Sequence, residues 1–294
     1  MELKIENLSK TYSNGVQALK NVTLTIPTGM FGLLGPNGAG KSTLMRTIAT
    51  LQEADSGSIL LDNLDVLKEK QEVRKTLGYL PQEFGVYPKV SAESLLDHFA
   101  ILKGVANKKE RKESVEALLQ QTNLWDVRKK NLGTFSGGMK QRFGIAQALL
   151  GNPKLIIVDE PTAGLDPAER NRFHNLLSEI GENIIVILST HIVEDVSDLC
   201  AHMAIINKGE VLVKGEPLKL MNALNGKIWK KMIEKSELAS YKTMHNVISS
   251  RMYAGKSIIH VYSNTQPGTF ETVEPSLEDV YFANITPHKE PVTV

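Results

Sequence analysis

The chain has 294 residues, of which 41% are hydrophobic and 23% charged, enough for one large buried core and a small second one. Its 34 basic and 33 acidic residues leave a formal net charge of +1, which excludes the broad positive field of a nucleic-acid-binding protein. The one cysteine, Cys200, excludes an internal disulfide and is expected to be buried near a helix end. The longest apolar runs are far shorter than the ~18 to 20 residues that cross a bilayer. We therefore expect no secretory segment and no membrane span.

The first predicted elements are strands. Apolar and polar residues alternate over residues 3–8 and again over residues 22–26, with turn residues at 13–15 between them. This pattern predicts an antiparallel sheet that precedes the main core. Further core strands are predicted around Phe31, Leu80, Ile157, Val186 and Ile205.

The most informative segment follows the strand around Phe31. It fits the pattern G-x-x-x-x-G-K-[ST] at every fixed position, and its residues are Gly35, Pro36, Asn37, Gly38, Ala39, Gly40, Lys41, Ser42 and Thr43. The glycines allow successive N–H groups to point inward, and the helix that starts near Lys41 adds the positive end of its dipole. The segment predicts a nucleotide triphosphate site in which Lys41 reaches the β- and γ-phosphates and Ser42 is a ligand of Mg²⁺.

Residues 83–153 have a mainly helical pattern, and Ser91 is placed to cap one of these helices. Near the end of this region, Ser136, Gly137 and Gly138 open another helix. The N-terminus of that helix is expected to form a second anion site.

An acidic pair follows the next strand. Asp159 and Glu160 come directly after the apolar run 155–158, at the edge of an α/β sheet where ligands bind. Asp159 is expected to hold Mg²⁺ through water, and Glu160 to polarise an attacking water as general base. A strand that merely ends in solvated acids would look the same in isolation, but the phosphate loop favours the functional interpretation.

The chain after about residue 220 has a different character. Residues 244–253 and 257–262 are expected to form a hairpin, and residues 276–282 a short capped helix. We predict a cassette over residues 1–220, a small accessory domain over 221–286 and a frayed tail over 287–294.

Residues 135–142 resemble the signature motif of the ATP-binding cassette family. Other motifs of that family occur here in order: Tyr12, Gln82, Ala163 to Asp166, and His191. The resemblance covers Met1 to about Leu220. Phe135, Met139 and Gly164 depart from the usual pattern, and we interpret them as marks of a subfamily because Ser136, Gly137 and Gly138 are intact.

The resemblance implies a fold and a set of roles. The fold is α/β, with a P-loop core sheet, an N-terminal antiparallel β subdomain, an inserted helical subdomain and here a small C-terminal α+β appendix. Tyr12 would stack on adenine, Gln82 would report the γ-phosphate and Mg²⁺ to a partner, and His191 would contact the γ-phosphate. Asp166 and the Ser136, Gly137 and Gly138 segment would face nucleotide. Because the chain has one phosphate loop and one signature, the active form would be a homodimer or a heterodimer with a related chain, holding two ATP molecules.

Two classes of function stay open at this stage. The first is the ATPase subunit of a membrane exporter, which docks on a separate polytopic permease at the inner face of the membrane through its helical subdomain. Phe84, Val86 and Tyr87 are the expected exposed contacts. The second is a soluble cassette ATPase acting on nucleic acid or the ribosome. The absence of sustained heptads, a basic stripe and a repeat disfavours the second class. The appendix resembles that of drug, antibiotic or polysaccharide exporters.

Overall fold

The computed structural model describes residues 1–82 and 84–286. Its strands are, in chain order, β1 Glu2–Thr11, β2 Gln17–Pro27, β3 Gly29–Leu34, β4 Ser56–Leu61, β5 Leu64–Asp65, β6 Leu77–Leu80, β7 Leu155–Asp159, β8 Ile185–Thr190, β9 His202–Asn207, β10 Glu210–Gly215, β11 Ile228–Ile233, β12 Val247–Tyr253, β13 Lys256–Tyr262 and β14 Glu271–Thr272. Its helices are α1 Lys41–Ile48, α2 Lys70–Thr76, α3 Ala92–Leu102, α4 Lys108–Gln121, α5 Gly137–Ala148, α6 Pro167–Ile180, α7 Val193–Leu199, α8 Pro217–Asn222, α9 Leu238–Met244 and α10 Leu277–Ile285. The predicted tail, 287–294, lies outside the described residues.

An antiparallel sheet opens the chain, as the alternating pattern predicts. Its strand order is β2-β1-β4-β5. Leu3 pairs with Ile26 on one side and with Leu61 on the other, and these three side chains are buried. The inward-facing residues of neighbouring strands therefore form one apolar layer.

A six-stranded sheet forms the centre of the nucleotide core, in the order β10-β9-β3-β8-β7-β6. The pairs β3–β8, β8–β7 and β7–β6 are parallel, so these strands end at the same edge of the sheet. Strands β7 and β8 are buried at every position, which explains why each begins with four consecutive apolar residues. Because β3 precedes the phosphate loop and β7 ends in Asp159, the shared edge brings the two predicted motifs together.

Helices α3, α4 and α5 surround a separate apolar cluster. Ser91 caps α3 by accepting a hydrogen bond from the Ser94 backbone N–H at 3.2 Å, as predicted. The expectation that three apolar side chains here are exposed is correct for Tyr87, which is 62% exposed. It is wrong for Phe84 and Val86, which are half-buried, and Val86 packs against the cluster.

Another antiparallel sheet, in the order β12-β13-β11-β14, lies in the C-terminal part. The predicted hairpin is present as β12 and β13, but it begins at Val247, because Met244 ends α9. Ser276 caps α10 in a reciprocal capping box with Asp279, which fits the predicted capped helix.

The described chain divides into two compact units. One contains Met1–His202 and Ile206–Val211, and the other contains Met203–Ile205 and the chain from Leu212 onward. No helix within residues 1–82 and 84–286 combines the length and apolarity needed to cross a membrane.

Candidate functional site

The phosphate loop joins β3 to α1 and depends on glycine at defined positions. Gly38 and Gly40 have φ of +78° and +107°, in the left-handed region that favours glycine. A Cβ on Gly40 would lie 2.5 Å from the carbonyl oxygen of Ala18, and one on Gly35 would lie 2.3 Å from that of Ile206. The loop therefore tolerates no side chain at either contact.

Lys41 is buried, with 5% of its surface exposed. Its Nζ donates to the carbonyl oxygens of Gly35 at 2.6 Å and Pro36 at 3.3 Å, and it lies 3.8 Å from Glu160 Oε1. Burial lowers the pKa of Lys41, and the negative charges of Glu160 and Asp159 oppose that shift. The side chain therefore bridges the phosphate loop and the acidic pair.

The two carboxylates of the acidic pair have different surroundings. Asp159 ends β7, and burial raises the pKa of its carboxyl. Glu160 begins the following loop with φ of +48°, a strained conformation for this residue type. Its Oε2 accepts from Gln82 Nε2 at 3.2 Å, and its Oε1 lies 3.1 Å from His191 Nδ1. With Lys41, Glu160 thus has three neighbours that the sequence analysis selected from separate motifs.

A cavity of about 610 Å³ lies at the phosphate loop. It is lined by predicted site residues, namely Tyr12, Pro36, Asn37, Gly38, Ala39, Gly40, Lys41, Ser42, Thr43, Gln82 and Glu160. Within the described part of the chain, the lining does not include Asp159, Asp166, His191 or residues 136–138. The structure therefore gathers one group of the predicted residues and leaves the signature segment outside the cavity.

Tyr12 lies at the wall of this cavity. Its hydroxyl donates to Gln52 Oε1 at 2.9 Å and lies 3.1 Å from Thr43 Oγ1. Tyr12 as a whole is 38% exposed, and an aromatic side chain in the wall of a cavity can contact a planar ligand.

The signature segment forms the start of α5. Ser136 Oγ accepts from the backbone N–H of Met139 at 3.2 Å, and both Ser136 and Gly137 are exposed. Gly138 is buried against Glu169, whose carboxylate also forms an ion pair with Arg142.

Asp166, which the resemblance assigns to nucleotide binding, is the N-cap of α6. Its Oδ1 accepts from the Glu169 backbone N–H at 2.9 Å. Through Glu169, the start of α6 is tied to the signature helix.

Sequence reasoning missed several lining residues, including Val16, Gln17, Ala18, Lys20, Lys208 and Gly209. Lys208 and Gly209 form a turn with φ of +48° and +82°. The Gly209 N–H donates to Ala39 O at 2.9 Å, so this turn supports the phosphate loop from a distant part of the sequence. Its Asn-Lys-Gly sequence predicts a turn but says nothing of where the turn packs.

A phosphate loop and an acidic pair at one edge of a parallel sheet, with a second Ser-Gly-Gly helix start, define a nucleotide-binding cassette ATPase. Residues 19–163 match the sequence model of the family described as ABC transporter. The chain belongs to the ABC transporter family and is one of its ATP-binding proteins.

Two proteins of Bacillus subtilis show the extent of the similarity. The chain is 36% identical over 226 residues to the linearmycin resistance ATP-binding protein LnrL, covering 76% of this chain and 72% of LnrL. It is 33% identical over 296 residues to the uncharacterized ABC transporter ATP-binding protein YxlF, covering 95% of this chain and 98% of YxlF.

A similar fold is found in the ATP-binding cassette MJ0796, solved as a dimer in a post-hydrolysis state bound to ADP and Pi. The TM-score is 0.66 at 28% identity, covering 73% of this chain and 98% of that chain. The predicted fold class, ATP binding and hydrolysis, and transporter function are confirmed. The alternative, action on nucleic acid or the ribosome, gains no support.

Proposed function

We propose that this chain powers an exporter, and that ATP closes two cassettes on each other while hydrolysis by Glu160 opens them. The observation that carries the catalytic part is the position of Glu160 on the wall of the phosphate-loop cavity, in contact with Gln82 and His191. Export is supported by the similarity to LnrL, a linearmycin resistance protein.

The proposed roles follow from what each side chain can do. Glu160 takes the proton of the attacking water, which requires a carboxylate at the edge of the phosphate site. His191 lies beside Glu160 and contacts the γ-phosphate. Tyr12, in the wall of the cavity, stacks on adenine. Lys41 exchanges its loop carbonyl partners for phosphate oxygens.

The residues proposed for Mg²⁺ fit its preference for oxygen ligands. Asp159 offers a buried carboxylate, Gln82 an amide oxygen and Ser42 an exposed hydroxyl. Bound Mg²⁺ would neutralise charge that develops on the phosphates. Burial raises the pKa of Asp159. A nearby cation would oppose that shift, because it favours the charged form of the carboxylate.

The signature segment is proposed to serve a second copy or a related chain. Ser136 and Gly137 are exposed and lie outside this chain's own cavity, which leaves the N-terminus of α5 available to a partner's ATP. Asp166 would contact nucleotide at the same interface. The dimeric MJ0796 cassette supports this arrangement.

A separate polytopic permease is the proposed membrane partner, which would hold this chain at the inner face of the membrane. A groove of about 360 Å³ is lined in part by Leu77, Tyr79 and Phe99. Leu102 also lines it and is 70% exposed, and Ile101 next to it is 48% exposed. Apolar surface of this kind suits an amphipathic helix of the permease. In this scheme residues 1–220 are the cassette and 221–286 an accessory domain.

The base assignment is tested with Glu160→Gln. This variant should bind ATP with the parent's affinity and lose nearly all steady-state turnover, because the cradle is kept and the base is removed. The control is Glu113→Gln, which changes an exposed acid on α4. Turnover at the parent's rate in E160Q would contradict the assignment.

The partner is tested by affinity capture from solubilised membranes followed by mass spectrometry. A stoichiometric polytopic protein should be recovered with the parent chain and lost with Leu102→Asp. Leu218→Asp, which alters an equally exposed leucine in the C-terminal unit, is the matched control. Recovery of ribosomal proteins or nucleic acid instead would refute the proposal. The proposal of export has its own test: cells from which this protein is deleted should be more susceptible to antibiotics than the parent cells.

A further inference from the structure

A fully buried carboxylate outside the predicted catalytic set joins several segments of the nucleotide core. Asp195, in the first turn of α7, has no exposed surface. Its Oδ2 accepts from Thr162 Oγ1 at 2.5 Å and from Thr190 Oγ1 at 3.4 Å. Its Oδ1 accepts from Arg170 Nε and His174 Nε2, both at 2.9 Å. One side chain thus links the loop after β7, the end of β8, and α6.

The two threonines lie next to the reacting groups in sequence. Thr162 follows Glu160 by two positions, and Thr190 directly precedes His191. Both are buried, at 3% and 1% exposure, so bulk water cannot replace Asp195 as their partner. Thr190 Oγ1 also accepts from the Ile192 N–H at 2.9 Å, which fixes the backbone on both sides of His191.

The segment that these contacts hold is strained. Glu160 has φ of +48°, a conformation that persists only where the surroundings enforce it. Its N–H donates to Ser189 O at 2.8 Å, and the Leu165 N–H donates to Thr162 O at 3.2 Å. These backbone bonds fix the loop ends, while the bond from Thr162 to Asp195 is the side-chain contact that anchors the middle of the loop.

We propose that Asp195 is a positioning residue for ATP hydrolysis. It fixes the loop of Glu160 relative to the loop of His191, and so sets the 3.1 Å distance between Glu160 Oε1 and His191 Nδ1. The inference rests on the proposed role of Glu160 as general base. A carboxylate suits this position because donors approach both of its oxygens. An asparagine amide would turn its NH₂ toward one pair of donors.

The test uses Thr162→Val and Thr190→Val together, which remove the two hydroxyls but keep the side-chain volume. The control is Thr122→Val, which changes another fully buried threonine whose hydroxyl donates to Leu118 O at 2.7 Å. Both proteins are assayed for kcat, KM, affinity for a non-hydrolysable ATP analogue, and Tm. Displacement of a reacting group by about 1 Å can cost roughly a hundredfold in rate. We therefore expect kcat of the double variant to fall about tenfold to a hundredfold, with analogue affinity within about twofold of the parent.

The control should keep the parent's kcat despite a comparable loss in Tm. Asp195→Asn, if it folds, should lower kcat at least as far as the double variant. A loss of kcat that only follows the loss of Tm, and is equal in T122V, would make Asp195 a packing residue and overturn the proposal.

A triple variant, in which Glu160→Gln is added to Thr162→Val and Thr190→Val, separates the positioning role of Asp195 from the base role of Glu160. If Glu160 is the base and Asp195 acts mainly through it, the threonine substitutions should lower the residual turnover of E160Q by a much smaller factor than they lower the turnover of the parent. If E160Q alone retains full turnover, the proposed function fails and the positioning role fails with it. If E160Q is inactive but the double threonine variant keeps the parent's kcat, only the positioning role is overturned.

Discussion

Replacement of Lys41 by methionine should weaken ATP binding while leaving the nucleotide-free protein about as stable as the parent. The ammonium is buried and donates to the carbonyl oxygens of Gly35 and Pro36. On nucleotide binding it would move to phosphate oxygens. A hydrogen bond to a charged group contributes about 1.5 to 3 kcal/mol, so the Kd for ATP should rise about tenfold to 150-fold.

The pKa of Lys41 shows whether its buried charge raises or lowers the stability of the folded chain. Burial lowers the pKa of Lys41 below 10.5, its usual value, so the unfolded chain binds more protons between the two pKa values. The buried charge therefore reduces stability at neutral pH, and this cost is relieved as pH rises through that window. Lys41→Met removes the cost of burying the charge. The gain is offset because the Gly35 carbonyl loses its donor and Glu160 keeps only Gln82 and His191 as partners. We expect a change in the free energy of unfolding of less than about 1 kcal/mol.

The assay is calorimetric titration with a non-hydrolysable ATP analogue, together with urea denaturation of the nucleotide-free protein. Lys103→Met is a matched control, because Lys103 is also a lysine whose pKa is lowered by burial, and it donates to Arg74 O at 2.9 Å and Leu77 O at 2.6 Å. Lys103 is not among the residues that line the nucleotide cavity. Parental affinity in K41M would refute the reasoning, as would an equal loss of affinity in K103M.

The remaining predictions concern stability. Gly138→Ala should destabilise the chain by about 1 to 3 kcal/mol in urea denaturation, because its Cβ would lie 2.2 Å from Glu169 Oε2 and displace a paired carboxylate. A Cβ on Gly137 would meet nothing within 4 Å, so Gly137→Ala should be neutral or stabilising in the same assay. Burial raises the pKa of Asp279, but its hydrogen bonds, including one with His260 at 2.6 Å, outweigh burial and hold that pKa below 3.8. The stability that ionised Asp279 contributes is present above its usual pKa and is lost as pH falls through its lowered pKa in the folded chain. Asp279→Asn should therefore flatten the fall in the free energy of unfolding between about pH 5 and pH 2. A parental slope in D279N would contradict the pairing.

Local sequence determined the parts of this protein that depend on neighbouring residues. The phosphate loop, the cap at Ser91 and the hairpin of β12 and β13 follow from backbone preferences and short-range hydrogen bonds. The alternating pattern of β1 and the unbroken apolar run of β7 likewise encode which faces are buried. The phosphate loop together with the signature segment 135–142 identifies the family.

Tertiary structure alone decided which side chains meet. The contact of Glu160 with Gln82 joins residues 78 positions apart, and the bond from Thr162 to Asp195 joins residues 33 positions apart. No periodicity or capping rule specifies such pairs, because they depend on strand order and on how helices pack against the sheet. The half-burial of Phe84, which we expected at the surface as a contact of the membrane partner, has the same origin. The sequence thus identified the chemical groups of the site, and the packing of strands and helices set the distances between them.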